Sequence, residues 1–207
     1  MPFDHNDHYQ PLLLRHLPRT ARTALDVGCG TGGFARRLAG LGLEVDAVDP
    51  SAETIAAARA ASARVGSVWR PDCRQADVTR TELSPGRYDY ISCLASLHHM
   101  PFETVSALRD ALAPGGVLVV LGCYPERSRT DWAWSLAAVP ANAAARLAVT
   151  VRERASGRPR THLRAPVQPP QLTYDETRRE AARLLPGSTV RRLLFWRYLL
   201  TYRRPAT

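Results

Sequence analysis

Apolar residues in the first 122 positions fall into two alternating patterns, short continuous runs and segments with helical spacing. A short run bounded by Gly, Pro or Asp indicates a buried strand, whereas apolar residues three or four positions apart indicate a helix. The predicted strands cover residues 23–28, 43–49, 72–76, 88–94 and 117–122. The predicted helices cover residues 33–41, 51–63 and 101–112. This alternation predicts right-handed crossovers in an open, doubly wound α/β sheet with mostly parallel strands.

The last third of the chain has a different pattern. A capping-box sequence at residues 173–176 predicts a helix that ends at Pro186-Gly187. Two strand-like runs follow, over 189–195 and 197–202, and their short separation predicts an antiparallel hairpin. Residues 124–170 contain two Trp and an Arg- and Pro-rich stretch. We interpret this segment as an insertion that shapes the pocket of a substrate.

Length and composition favour one globular domain over residues 1–207. Hydrophobic residues make up 45% of the chain and charged residues 23%, which is ordinary for a globular protein. No apolar run approaches the roughly 20 residues that span a bilayer. The first seven residues are polar and mildly acidic, unlike a secretory signal. We therefore expect a cytoplasmic protein with no membrane association.

The formal charge of +9 raises the question of a nucleic-acid partner. All 28 basic residues are Arg, and they are scattered rather than gathered in blocks. Such a composition is typical of a GC-rich genome, and clustering rather than net charge marks a nucleic-acid surface. The sequence therefore disfavours a nucleic-acid partner. The four Cys form no C-x-x-C pair, so the sequence predicts no metal site and we expect buried thiols.

A glycine-rich loop follows the first predicted strand. Gly28, Gly30 and Gly32 permit positive φ angles and let a ligand approach the backbone. Counted to Gly33, the loop also satisfies the G-x-G-x-x-G spacing of dinucleotide sites, so it leaves two cofactor classes open. Asp49 ends the second strand, where a carboxylate can accept hydrogen bonds from ribose hydroxyls. Asp77 ends the third strand and can accept from an adenine amino group, with the N–H of the next residue beside it.

Several segments resemble motifs of the class I S-adenosylmethionine-dependent methyltransferases. The first motif of that family is similar to Leu25-Asp26-Val27-Gly28-Cys29-Gly30-Thr31-Gly32. Its ribose and adenine sites are similar to Val48-Asp49-Pro50-Ser51 and Gln75-Ala76-Asp77-Val78. Its fourth strand and the turn into its fifth resemble residues 88–91 and 112–118.

The resemblance implies a seven-stranded Rossmann-like sheet that ends in an antiparallel strand, with S-adenosylmethionine as the cofactor. It places the methionine carboxylate near the backbone donors of Gly28 and Gly30, and the ammonium near Asp26. The cofactor-binding residues that it implies are Tyr9, Asp26, Gly28, Cys29, Gly30, Gly32, Asp49, Pro50, Asp77, Val78, Cys93 and Leu94.

Two pairs of His residues are candidates for the catalytic base. His98 and His99 follow the fourth strand, and His5 and His8 lie in an N-terminal segment, residues 1–20, that commonly covers the site as a lid in this family. Methyl transfer is an in-line displacement, so the enzyme mainly aligns the nucleophile. An acidic hydroxyl or activated carbon also needs a base within hydrogen-bond reach.

We predict methyl transfer to a small-molecule acceptor, in keeping with secondary metabolism. The alternatives are an NAD(P)-dependent oxidoreductase, an RNA-directed methyltransferase and a binding module without catalysis. The chain has no Lys for a Tyr-x-x-x-Lys pair. Residues 92–95 also lack the Asn/Asp-Pro-Pro-aromatic stretch of enzymes that methylate nucleobase amines. Both observations favour the small-molecule hypothesis.

Overall fold

The computed structural model describes residues 5–65, 69–127 and 169–206. Its centre is a seven-stranded sheet in the order β3-β2-β1-β4-β5-β7-β6. The first five strands are parallel to one another, and β7 runs antiparallel to both β5 and β6. The strands are β1 Thr23–Val27, β2 Glu44–Asp49, β3 Asp72–Gln75, β4 Tyr88–Leu94, β5 Leu112–Cys123, β6 Thr189–Leu193 and β7 Arg197–Arg203. The predicted sheet and its antiparallel hairpin are confirmed.

Helices cover both faces of the sheet. They are α1 His5–Leu14, α2 Gly33–Ala39, α3 Ala52–Ala63, α4 Thr104–Ala111 and α5 Tyr174–Leu184. A 3₁₀ turn, Leu97–His99, follows β4. The predicted capping box is present, because the Thr173 hydroxyl accepts from the Glu176 N–H and the Glu176 carboxylate accepts from the Thr173 N–H. Among the described residues, no helix is long and apolar enough to cross a membrane.

Two predicted boundaries near α4 were wrong. The helix begins at Thr104 rather than at residue 101, because the preceding turn is closed by bonds between residues three apart, such as Val105 N–H to the Phe102 carbonyl at 3.1 Å. Strand β5 begins at Leu112 rather than at residue 117, because Leu112 already pairs with Tyr88 on β4. The register of the two strands then shifts, so that the next pair joins Tyr90 to Val117 and the Pro-Gly-Gly turn lies between the two pairs. Most of the predicted insertion, including both Trp, lies outside the described residues.

The N-terminal helix is anchored firmly to the rest of the molecule. Tyr9 and Leu13 are buried in the core that lies on the α1 and α2 face of the sheet. The Tyr9 hydroxyl donates to the Leu194 carbonyl at 3.0 Å, and the Tyr90 hydroxyl donates to the Leu13 carbonyl at 3.0 Å. These bonds join the start of the described chain to its last hairpin and to the centre of the sheet.

Candidate functional site

The glycine loop, residues 28–32, connects the end of β1 to α2 at the carboxyl edge of the parallel strands. Gly28, Gly30 and Gly32 have φ angles of 66°, 55° and 72°, in the left-handed region that favours glycine. A Cβ on Gly30 would meet no atom within 4 Å, whereas a Cβ on Gly28 would lie 2.3 Å from Cβ of Ser96. The loop therefore has a closely packed base at Gly28 and an open outer side at Gly30.

The N–H groups of Gly28, Cys29, Gly30 and Gly32 are bonded within the protein. The N–H groups of Gly28 and Cys29 donate to the Val48 carbonyl at 2.8 and 3.0 Å. The Gly30 N–H donates to Asp49 Oδ2 at 3.0 Å. The amides of Gly28 and Gly30 must consequently exchange these partners before they can bind a methionine carboxylate. What the loop offers directly is open space beside its backbone.

Asp49 holds the glycine loop and the start of α3 together at the end of β2. Its Oδ2 accepts from Gly30, and its Oδ1 accepts from the Ser51 N–H at 3.0 Å. A carboxylate has about four lone-pair positions, so Asp49 can also accept from a diol. Pro50, which follows it, is exposed, and its carbonyl accepts from the Gln75 amide at 3.1 Å. These bonds fix the Asp49 carboxylate at the strand end where the sequence predicts the ribose of the cofactor.

Asp77 lies one strand further along the same edge. Its Oδ1 accepts from the Thr79 N–H at 3.0 Å and from the Thr79 hydroxyl at 2.7 Å, and these bonds lower its pKa. The adjoining Ala76 N–H donates to the Asp49 carbonyl at 3.1 Å, which ties the two strand ends together. The side chain of Val78 is buried in the core, so only its backbone can serve an adenine.

Asp26 is buried beneath the glycine loop, with 2% of its surface exposed. The Ser92 hydroxyl donates to its Oδ1 at 2.7 Å, and the Ala35 N–H on α2 also donates to it. Burial, with a smaller contribution from the nearby Asp49 charge, raises the pKa of Asp26 to about 6. A cationic group of a ligand would lower this pKa by favouring the charged carboxylate.

The buried Asp26 should make stability depend on pH. The folded pKa of Asp26, about 6, exceeds the ordinary value of 3.8. At a pH between these two values the folded state therefore keeps a proton that the unfolded state has lost. The contribution of Asp26 to the free energy of unfolding consequently falls as the pH rises from about 4 to about 6, and it is constant at higher pH. For a shift of this size the fall is about 3 kcal/mol.

We expect Asp26→Asn to remove this contribution, so that the free energy of unfolding of the variant rises relative to that of the wild type as the pH increases from about 4 to about 6, as measured by urea titration. The exposed Glu82→Gln is the matched control and should keep the wild-type slope. An unchanged slope in Asp26→Asn would show that Asp26 does not hold this proton.

The remaining residues predicted to bind the cofactor differ in how deeply they are buried. Cys93 is fully buried on β4, in the core that includes Val27 and Val120, and burial raises the pKa of its thiol. Cys29 and Leu94 are half-buried at the carboxyl edge. Tyr9 lies against the last hairpin, where its ring centroid is 6.3 Å from that of Phe195. All four Cys are free thiols, although only Cys73 and Cys93 are buried.

The turn after β4 brings His98 and His99 together, with ring centroids 4.0 Å apart. Burial lowers the pKa of His98 to about 4, with further contributions from His99 and Arg197, so His98 is neutral at pH 7. A cavity of about 750 Å³ adjoins this turn. Its described lining includes His98, His99, Met100, Cys123, Leu172 and Tyr198.

The N-terminal His pair lies elsewhere on this edge. His8 is exposed, and its ring packs edge-on against Tyr9 and Phe195, with centroids 4.9 and 5.7 Å apart. Of His5 only the backbone is described, as the first residue of α1. Within the described part of the chain, no group of three or more His, Cys, Asp or Glu is placed to hold a metal ion.

Sequence reasoning missed Ser92, Ser96 and Arg197. Ser92 bonds Asp26, and the Ser96 hydroxyl donates to the Val27 carbonyl at 2.6 Å directly under Gly28. Arg197 faces Cys123 across the β5–β7 pair and reaches Asn6 on α1. Strand register brings Ser92 and Arg197 to the site, the turn after β4 brings Ser96, and no motif signals them.

Comparison with known proteins identifies the family. A family model described as a methyltransferase domain matches residues 25–118. An uncharacterized methyltransferase of Mycobacterium bovis is 33% identical over 207 residues, which cover 99% of this chain and 98% of the relative. The chain belongs to the methyltransferase family. It is an S-adenosylmethionine-dependent methyltransferase, as predicted, and the oxidoreductase hypothesis is not supported.

More distant relatives resemble this chain over about half of its length or in fold alone. A ubiquinone biosynthesis O-methyltransferase of Burkholderia ambifaria is 34% identical over 103 residues, 49% of this chain and 44% of the relative. The magnesium protoporphyrin IX methyltransferase of Synechocystis, solved with bound S-adenosylmethionine, has a TM-score of 0.59 and 18% identity over 96% of this methyltransferase and 77% of that chain. A structure from echinomycin biosynthesis has a TM-score of 0.62 and 21% identity, and the match covers 100% of this chain and 86% of that chain.

Proposed function

We propose that this methyltransferase transfers the methyl group of S-adenosylmethionine to a small-molecule acceptor bound beside the Leu97–His99 turn. The observation that carries the proposal is the shared edge of the sheet. The glycine loop, Asp49 and Asp77 follow β1, β2 and β3, and the cavity at His98 adjoins the turn after β4. Its volume of about 750 Å³ lies in the range of small-molecule sites.

The protein's own residues fit the cofactor. In this proposal the open side of the loop at Gly30 receives the ligand, Asp49 accepts from the ribose hydroxyls and Asp77 accepts from the adenine amino group. The buried Asp26 carboxylate favours a cation near the loop, and we assign it the role of binding the ammonium group of the methionine part of the cofactor. Bound S-adenosylmethionine supplies an electrophilic methyl group, and the chain supplies alignment and a proton acceptor.

His98 is our candidate for that proton acceptor. Its low pKa keeps the imidazole neutral at pH 7, so that one ring nitrogen is available to accept a proton. The cavity adjoining it holds the acceptor in this proposal. His99 packs against the His98 ring and orients it. His5 and His8 are assigned to the N-terminal covering segment rather than to proton transfer.

His98→Ala should lower kcat by about 100- to 10,000-fold, the range typical of a lost general base. In the wild type, activity governed by His98 should be level above about pH 5 and fall below it, because protonation through a pKa of about 4 removes the base. Single-turnover methyl transfer measures both effects. The control variants are His99→Ala and the double variant of His5 and His8. If all of these variants keep near-wild-type turnover, neither His pair supplies the base.

The acceptor class can be tested by following label from radioactive S-adenosylmethionine. The methyltransferase is incubated with a mixture of small phenols, amines and carboxylic acids and, separately, with total RNA. Label in the small-molecule fraction supports the proposal. Label in RNA alone would overturn it and favour RNA-directed methylation. Small phenols and carboxylic acids occur in the cytoplasm, where we expect the reaction to take place.

A further inference from the structure

Two buried polar atoms in the described part of the chain have no hydrogen-bond partner, and they belong to neighbouring side chains. They are Nδ1 of His98 and Nε of Arg197. The two residues are close enough that the Arg197 charge lowers the pKa of His98. Buried polar groups are nearly always bonded, so two unpartnered atoms in one place indicate a partner that lies outside the described residues.

Arg197 is held at this place by the sheet itself. It begins β7 and pairs with Cys123 at the end of β5, which lines the cavity beside His98. Its bonds to protein are long, at 3.4 Å from Nη2 to Asn6 Oδ1 and 3.5 Å from Nη1 to the Phe195 carbonyl. The Cys123 thiol is also within hydrogen-bond reach.

No carboxylate neutralises Arg197 among the described residues. The ion pairs of that part of the chain use other Arg residues. Glu126, the acid closest in sequence to Cys123, accepts a hydrogen bond from the Trp196 indole. A half-buried guanidinium without a counter-ion is costly unless a ligand supplies the negative charge.

From these contacts we infer that Arg197 and His98 form an anion subsite that binds a carboxylate of the methyl acceptor. A carboxylate matches the fork of guanidinium donors, because two parallel N–H groups can bond its two oxygens. His98 Nδ1–H would donate to the same group, which leaves Nε2 as the proton acceptor. The buried Tyr9 ring lies near Arg197 and packs against the buried Phe195 ring, and these rings favour an aromatic carboxylate.

This inference rests on the proposed function, but its test can be separated from it. Benzoate and its neutral isostere benzamide are titrated into the methyltransferase by calorimetry, with and without saturating S-adenosylhomocysteine. We expect benzoate to bind at least about 10-fold more tightly than benzamide in both conditions, the smallest effect of a charged hydrogen bond. Failure of S-adenosylhomocysteine to bind would contradict the proposed function alone.

Arg197→Gln should abolish the preference for benzoate and leave binding of benzamide and S-adenosylhomocysteine unchanged. Arg197→Lys should restore part of the preference, since it keeps the charge without the fork. Arg203→Gln, at the exposed end of the same strand, is the matched control and should behave as the wild type. Equal binding of benzoate and benzamide by the wild type would overturn the inference. So would a loss of S-adenosylhomocysteine affinity in Arg197→Gln, because Arg197 would then serve the cofactor.

Discussion

Asp49→Ala is expected to lower the affinity for S-adenosylhomocysteine by at least about 100-fold in a calorimetric titration. In the proposed complex the carboxylate accepts from two ribose hydroxyls, and each charged hydrogen bond contributes about 1.5–3 kcal/mol. The substitution also removes the acceptor of the Gly30 and Ser51 N–H groups. Thermal unfolding of the variant checks that the fold is retained.

A second ligand separates these two effects of Asp49. The compound 5′-methylthioadenosine keeps the ribose but lacks the amino-acid part of S-adenosylhomocysteine. If Asp49 binds the ribose, Asp49→Ala weakens both ligands by the same factor. If it acts only by shaping the glycine loop around the methionine part, 5′-methylthioadenosine is unaffected. Unchanged affinity for both ligands would contradict the assignment of Asp49.

Gly28→Ala should lower the free energy of unfolding by about 3–5 kcal/mol, since left-handed strain and overpacking each cost about 1–3 kcal/mol. The φ angle of 66° disfavours a side chain, and the new Cβ would lie 2.3 Å from Cβ of Ser96. Ser96 cannot withdraw easily, because its hydroxyl is bonded to the Val27 carbonyl. Urea titration measures the loss.

Gly30→Ala is the matched control for Gly28→Ala. It carries similar left-handed strain, at a φ of 55°, but its Cβ meets no atom within 4 Å. We expect a stability loss of only about 1–2 kcal/mol, together with a marked loss of S-adenosylhomocysteine binding. Ser96→Gly should rescue part of the stability lost in Gly28→Ala and none of that lost in Gly30→Ala. Equal losses in the two alanine variants would contradict the packing argument.

The alternation of apolar runs predicted β1, β2, β4 and β5 because these strands are buried on both faces over most of their length, which leaves a continuous signal. The glycine loop and Asp49 were predictable for a similar reason, since a ligand site at strand ends needs particular residue types at fixed places along the chain. The boundary between α4 and β5 could not be predicted, because the pairing of Leu112 with Tyr88 is a long-range contact.

The acceptor side of the site was harder to predict. Arg197 is one of many Arg residues, and its special position follows from its register opposite Cys123. Likewise, nothing in the sequence shows that the Tyr198 ring lies across Gly122, where a Cβ would come within 2.0 Å of the ring. Such pairings depend on how distant segments meet, and they decide which side chains face the cavity.

The interior position of β7 has a consequence for biosynthesis. Strand β5 is complete at Cys123, but the strand that covers its outer edge starts at Arg197, about 75 residues later. At roughly 5–20 residues per second, translation leaves that edge without its partner for about 4–15 s. The exposed edge includes the apolar stretch from Val117 to Leu121, and such edges pair readily with other chains. Nascent chains should therefore be more prone to aggregate than the finished protein, in which β7 covers this edge.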